Sequence, residues 1–494
     1  MKYLLNWTSI KMLWVYFLIA LVSASPLVAQ NNAPISAIDW LSQPTLAPLT
    51  EKNVITTETN ADKVINEITT SELDLNRDEI YGLIPQEISG IPKDFWTEID
   101  SDTLRQVLMS QPSLNLPSAD DLLVRALLAK TRGNLDVMLV RVETLVDRGA
   151  VQAAFSLIKQ SKIENIQSFA LFAKTALLTN NVEQICIKLN SARHLSNNEA
   201  LQVYCHLHSG SQKIAEINYL TLKALGAFRP TTSRLLAAHL NKKNNNDFVL
   251  PEFNPVEITP LDFQMWAGVG QPISTIALPV SFATYDLRET SSWLQKIQAA
   301  ERLSITGSLP GSTLLQTYTS NQVSKSGGVW DRVLAVQALH RALSDPIIDP
   351  TNEVNVFWGT FQDKRLIAAL ARAWSARLLE FDTKARNNDF LFQMQILSRP
   401  NAFPFEITME RLQSKNQILP TKVFKEIMNS FKKEILVTKK FGAINTLRAM
   451  RLVSKALNGE RPAFSKAIIL YREMGLTPLA QQLALEYMIV GQSE

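Results

Sequence analysis

Residues 164–178 read ENIQSFALFAKTALL. Ile166, Phe169, Ala170, Ala173 and Leu177 recur there at spacings of three and four, which lays one apolar stripe along an α-helix rather than alternating the faces of a strand. The pattern repeats on either side. Gly149, Asn180–Asn181 and Gly210 punctuate residues 134–241 at intervals of roughly 30, and each interval holds two short helical patterns. Ala150–Lys159 pairs with Glu164–Leu178, Val182–Leu189 pairs with Asn198–His208, and Ser211–Leu225 opens the next unit. This is the size class of tetratricopeptide-like hairpins, whose unit is about 34 residues, although the Trp, Gly, Tyr and Pro positions of that signature do not occur. The expected fold is all-α, a superhelical stack of helical hairpins forming a tetratricopeptide-like solenoid. An irregular helical bundle is the alternative.

Outward from this region the pattern breaks and resumes. Lys242-Lys243-Asn244-Asn245-Asn246 is a polar interruption, and Pro251, Pro255, Pro260, Pro272 and Pro279 follow closely. Residues 242–288 therefore read as a Pro-rich junction whose apolar residues pack against both halves. Ile273–Phe282 is extended in character, but its prolines argue against a central strand. Helical patterns return at Thr290–Arg302, Val329–Leu343 and Lys364–Glu380, the last with Ile367, Leu370, Trp374 and Leu378 on one face. Gly475 reads as a helix stop, and Thr477-Pro478 as an N-cap with proline at the first helical position. Leu479, Leu483, Tyr487 and Val490 form the stripe of a closing helix, as suits the capped end of a solenoid. The N-terminal helical-repeat region is 81–241 and the C-terminal helical region 289–494.

The chain of 494 residues begins with Lys2 and Lys11 flanking a polar start, followed by the uncharged run Met12–Ala24. A positive segment before an apolar run of this length is the pattern of a signal peptide, residues 1–29, with cleavage after Ala24 or Ala29; an uncleaved anchor is the other reading. No later apolar run is long enough to span a membrane, so the expectation is a soluble periplasmic protein after cleavage. Residues 30–80 have the composition of a flexible acidic linker. Within it Ser36–Ser42 (SAIDWLS) holds Ile38, Trp40 and Leu41, which suit a short docking helix. Cys186 and Cys205 are the two cysteines. An even pair in an oxidising space suggests a disulfide; two buried thiols or a metal site are the alternatives. Cys186 shares a helical face with Val182, Ile185 and Leu189, and Cys205 lies on the next helix.

Recognisable chemistry is sparse. His206 and His208, beside Cys205, stand two apart and point to different sides of a helix, and no CxxC pair or HExxH accompanies them. Ser430-Phe431-Lys432-Lys433 matches SxxK without its partner motifs. Glu98, Asp100 and Asp102 precede a helix and read as N-terminal capping and dipole partners. No Gly-rich phosphate loop occurs, and Gly327-Gly328 reads as a lead into a helix. These readings nominate no catalytic residue, metal ligand or cofactor.

Charge is the more informative surface feature. The formal net charge of +4 is small for this length, so whole-chain charge identifies no partner. Locally, Lys425, Lys432, Lys433, Lys439, Lys440, Arg448, Arg451 and Lys455 far outnumber the acids around them, whereas residues 51–102 are acidic. One reading is a basic face for an anionic envelope component such as lipid headgroups or cell-wall polymer. The other is a solvated helix surface balanced by the acidic N-terminal segment. Nucleic acid is not indicated, because aromatic-basic interleaving is missing.

Ser36–Ser42, Tyr81–Trp96 (YGLIPQEISGIPKDFW), Gly327–Leu339 (GGVWDRVLAVQAL), Ala299–Leu303 (AAERL) and the cysteine spacing resemble an exported helical-repeat family of alphaproteobacteria for which no activity is known. The resemblance implies export and a helical-repeat fold, and carries over no catalytic residue. A weaker, architectural similarity is to the helical arm of soluble lytic transglycosylases, whose catalytic motifs have no counterpart here. The resulting expectation is a non-enzymatic periplasmic scaffold that binds a protein or envelope partner. The alternative is a hydrolase or lytic enzyme acting on cell-wall polymer through an unrecognised site.

Overall fold

The computed structural model describes residues 79–110, 114–241, 250–270, 273–345, 347–381, 388–416 and 419–491. The segment expected to be a signal peptide, the expected linker up to residue 78 with Ile38, Trp40 and Leu41, and the polar break at 242–246 lie outside the described residues. No helix among the described residues is long and apolar enough to cross a membrane.

The described residues are all-α apart from one small antiparallel ribbon. In its N-terminal part, β1 (Glu79–Tyr81) precedes α1 (Gln86–Ser89), α2 (Ser101–Met109) and α3 (Pro117–Leu128), and β2 (Thr131–Gly133) precedes α4 (Leu135–Asp147). Then come α5 (Val151–Ile158), α6 (Ile166–Leu178), α7 (Val182–Ser191), α8 (Glu199–His208), α9 (Gln212–Ala224), α10 (Pro230–Asn241) and α11 (Pro260–Gly268). After two 3₁₀ segments follow α12 (Trp293–Ile305), α13 (Gly311–Thr319), α14 (Val329–Ala342), α15 (Thr351–Thr360), α16 (Lys364–Ala373) and α17 (Ser375–Leu378). The C-terminal part holds α18 (Asp389–Ser398), α19 (Phe405–Asn416), α20 (Thr421–Lys432), α21 (Ala443–Leu457), α22 (Pro462–Glu473) and α23 (Thr477–Ile489).

Local chemistry sets these boundaries. Asn165 caps α6 by accepting from the Ser168 N–H at 2.8 Å, and the Ser168 side chain returns a bond, which makes a capping box. Asn134 and Asn198 cap α4 and α8 in the same position. Asp100 caps α2 through the Thr103 N–H, as its place before the helix predicted, while Glu98 turns away to Lys440. Gly149, Asn180 and Gly210 all adopt positive φ at the ends of helices, so the three punctuation points act as left-handed stops. At Gly149 a side chain is excluded twice over: φ is +87°, and an added Cβ would lie 2.6 Å from Leu303 Cδ2.

Several expectations need correction. The opening stripe is broader than three-and-four spacing implied: α6 buries Ser168, Leu171, Phe172, Thr175 and Ala176 as well, while Ile166 and Ala170 are exposed. Neighbours on several sides cover this helix, so its polar and apolar faces do not separate. Lys364–Glu380 is not one helix. It divides at Trp374 into α16 and α17, yet Ile367, Leu370, Trp374 and Leu378 are all buried as the stripe required. Ile273–Phe282 forms no strand and falls into 3₁₀ turns at Thr275–Ala277 and Val280–Leu287. The second of these packs against α4, α6 and α12, with Phe263 stacked edge-on to both Phe282 and Tyr285.

Two features tie the ends of the described chain together. Phe95 and Trp96 in the 81–96 stretch are each 1% exposed, and the Ala443 N–H at the start of α21 donates to the Phe95 carbonyl at 2.9 Å. The closing helix α23 is buried around nearly its whole circumference, including Gln482 and Glu486, and packs against α3 as well as α22. One continuous apolar core runs from Tyr81 to Val490.

The cysteines form a disulfide between α7 and α8, with Cα atoms 5.2 Å apart and 19 residues of separation. A bridge closing a loop of this length stabilises by about 3 kcal/mol through restriction of the unfolded chain. The double replacement C186S/C205S is therefore expected to lower the melting temperature by about 4 °C. A reducing agent should produce the same shift in the wild-type chain and none in the variant; a wild-type melting curve indifferent to reduction would count against the assignment.

Candidate functional site

A cleft of about 440 Å³ opens where the N-terminus of α3, the turn between α12 and α13, helices α16 and α17, and residues 398–401 meet. Its walls come from parts of the chain that the sequence keeps far apart, and a set of buried ionic contacts holds them in place.

The first contact joins α23 to α3. Glu486, 0% exposed, accepts from the Ser118 N–H at 2.9 Å and from the Ser118 hydroxyl at 2.7 Å. Ser118 is the second residue of α3, so the carboxylate of the last helix occupies the position of an N-terminal cap. Arg372 of α16 completes the group at 3.0 Å from Glu486 Oε1 and 3.2 Å from the Ser118 hydroxyl. Burial pushes the Glu486 carboxyl up, while Arg372 and the two Ser118 donors pull it down.

The second contact fixes the turn before α13. Asp120 is buried and paired with Arg148, and also accepts from the Leu114 N–H. Arg148 donates to the Thr306 carbonyl at 2.8 Å, and its own carbonyl accepts from Ser308 at 2.7 Å. Burial raises the Asp120 carboxyl against the pull of Arg148. At the rim, Arg365 is held by Asp363 and by Asn115 Oδ1, and Asp121 pairs with Arg125 at 3.4 Å.

What faces the cleft unoccupied is of a different kind. The Ser304 residue is 8% exposed, and its hydroxyl has no hydrogen-bond partner among the described residues. Helix α13 presents its N-terminus here, with Pro310 at the cap position and no side-chain cap, so the N–H groups of Gly311 and Ser312 lack one. Gly311 is required for this approach: an added Cβ would sit 1.8 Å from the Ala369 carbonyl oxygen of α16. Arg399, exposed at the mouth, makes no ion pair among the described residues. Donors converge on this cavity while its carboxylates are tied into the wall.

The nominated basic residues lie elsewhere. Lys425 and Lys432 sit on α20, Lys433, Lys439 and Lys440 on the connection to α21, and Arg448, Arg451 and Lys455 on α21; all eight are exposed. Lys440 is tied to Asp94 at 2.6 Å and Glu98 at 2.8 Å, and Lys455 to Glu460 at 3.5 Å. The acidic N-terminal segment thus neutralises part of the basic stretch. Ser430 of the SxxK match is buried, and its hydroxyl donates to the Ile427 carbonyl at 2.6 Å. Sequence reading passed over Ser118, Ser304, Arg372, Arg399 and Glu486. The visible signals were Pro117 at a helix start and Glu486 inside an apolar helix, a position where a charge calls for a partner.

No protein-family model, curated protein or solved structure matches this chain, so its function is argued from these residues alone.

Proposed function

We propose that this protein is an exported, non-enzymatic scaffold of stacked, tetratricopeptide-like helical hairpins that binds an envelope ligand through the cleft, and that the ligand presents an anionic group to it. The observation that carries the reading is the buried, unpartnered Ser304 hydroxyl beside the uncapped N-terminus of α13. A buried hydroxyl without a partner costs about 1–3 kcal/mol, and an uncapped helix start favours anions, so an oxyanion there satisfies both at once. Arg399 supplies the cation at the mouth. A lytic or hydrolytic mechanism of the carboxyl-dependent kind needs a carboxyl group free to reach substrate. Glu486 is sealed behind Ser118 and Arg372, Asp120 is held by Arg148 and the Leu114 N–H, and Asp121 at the rim is paired with Arg125. The periplasmic setting rests on the leader-like N-terminus and the disulfide.

Soluble peptidoglycan fragments, whose stem peptides end in carboxylates, are the first probe. Calorimetric titration is expected to show binding, weakened about tenfold in R399A and in S304A, in line with the loss of one charge-assisted or buried hydrogen bond each. Release of new reducing ends or free peptide during incubation would overturn the scaffold reading. Titration without heat for these fragments, for inorganic phosphate and for acetate would overturn the anion site.

A further inference from the structure

The end of α20 and the connection to α21 read KKEILVTKK over residues 432–440, and the connection places apolar side chains in water. Leu436 is 82% exposed and Val437 69% exposed. A single exposed apolar residue needs no explanation, but here two adjacent ones stand at a loop flanked by lysine pairs. The loop is held in place: the Thr438 and Lys439 N–H groups both donate to the Glu473 carbonyl at the end of α22, each at 3.1 Å. Lys432, Lys433 and Lys439 are exposed and make no ion pair among the described residues, while Lys440 is anchored on Asp94 and Glu98. Glu434 is the one acid in the stretch. On α21, Ile444 is 47% exposed, and Arg448 and Arg451 are exposed on the same helix.

We infer that this loop is an interfacial anchor that seats Leu436 and Val437 at the surface of an anionic phospholipid bilayer, with Lys432, Lys433 and Lys439 over the headgroup phosphates. The charge pattern selects this occupant. A protein groove that accepts apolar side chains has no need of three cations around them. A bilayer with anionic headgroups supplies apolar depth under a negative plane, and lysine stems reach from one to the other. The inference is independent of the cleft and of any ligand there.

Both cysteines of the chain are in the bridge, so L436C introduces a single free thiol for an environment-sensitive nitrobenzoxadiazole label. With vesicles of phosphatidylcholine containing phosphatidylglycerol, the full-length labelled protein is expected to show a blue-shifted, several-fold brighter emission. With pure phosphatidylcholine vesicles it should show none. Adding K432Q, K433Q and K439Q is expected to weaken vesicle affinity by roughly a hundredfold, since each basic residue near such a surface contributes about a factor of five. A label at exposed Gln152 on α5 reports any contribution from the leader and should stay in water. The proposal is overturned by a water-like emission at position 436 on anionic vesicles, by an equal response to zwitterionic ones, or by an equal response at position 152. The substituted residues are all exposed, and matching melting curves establish that the variants are folded.

Discussion

Replacing Arg141 by alanine is expected to lower the stability of this protein by about 4 kcal/mol and its melting temperature by about 5 °C. Arg141 is 2% exposed and has no carboxylate partner among the described residues. Its guanidinium instead donates to the carbonyls of Leu127 at 2.9 Å, Ala129 at 2.7 Å and Tyr81 at 3.4 Å, and to the Thr131 hydroxyl at 3.1 Å. It also lies 5.8 Å from the Trp96 ring centroid. Burial pulls its pKa down to about 9, so it stays charged at neutral pH, and the carbonyl dipoles compensate the lost hydration. One side chain thereby clamps β1, β2 and the end of α3. Alanine removes the charge, leaves the carbonyls without this donor and opens a cavity. R141M refills most of the volume and is expected to recover about 1–2 kcal/mol of the loss. Urea unfolding of the three proteins checks both values; an R141A variant within 1 kcal/mol of wild type contradicts the clamp.

The second large effect is expected at Glu486. E486A removes the carboxylate shared by Ser118 and Arg372, and leaves a buried N–H, a hydroxyl and a guanidinium without it. Arg372 is 26% exposed in its side chain and regains some hydration, which sets the expected loss near 3 kcal/mol, below that of a fully buried pair. R372A should cost less than E486A, and the double variant little more than E486A alone, because the two share one interaction. Burial raises the carboxyl of Glu486 in the folded chain, so its contribution is complete below the unfolded pKa and declines as pH rises through the folded one. E486Q, which keeps an acceptor for Ser118 without the charge, is expected to flatten that part of the stability profile. Melting curves across the acidic-to-neutral range decide it; a profile unchanged in E486Q would show that Glu486 does not titrate there.

Much of the local architecture was legible because its signals are short-range. The cap at Asp100, the stops at Gly149 and Gly210, and the apolar spacing of Val182, Ile185, Cys186 and Leu189 act within a turn or two of helix. The disulfide belongs with them, since it joins neighbouring helices. Strands β1 and β2 were not legible: three residues each are too few for an alternating pattern, and Arg141 organises them from another element. The exposure of Ile166 and Ala170 was equally hidden, because which side of a well-covered helix faces water depends on its neighbours.

The cleft shows the same division at larger scale. Helical class, the places where helices start and stop, the paired cysteines and the lysine-rich run at 432–440 are properties of consecutive residues, and each is written within a few positions of where it acts. The meeting of Ser118 with Glu486, 368 positions apart, depends on α23 packing against α3, and the encounter of Ser304, Gly311 and Arg399 around one cavity depends on α12, α13 and α18 packing against α16. The reason is physical: hydrogen bonding within a helix is settled by local conformation, whereas the partner of a buried charge is settled by which surfaces the core brings together.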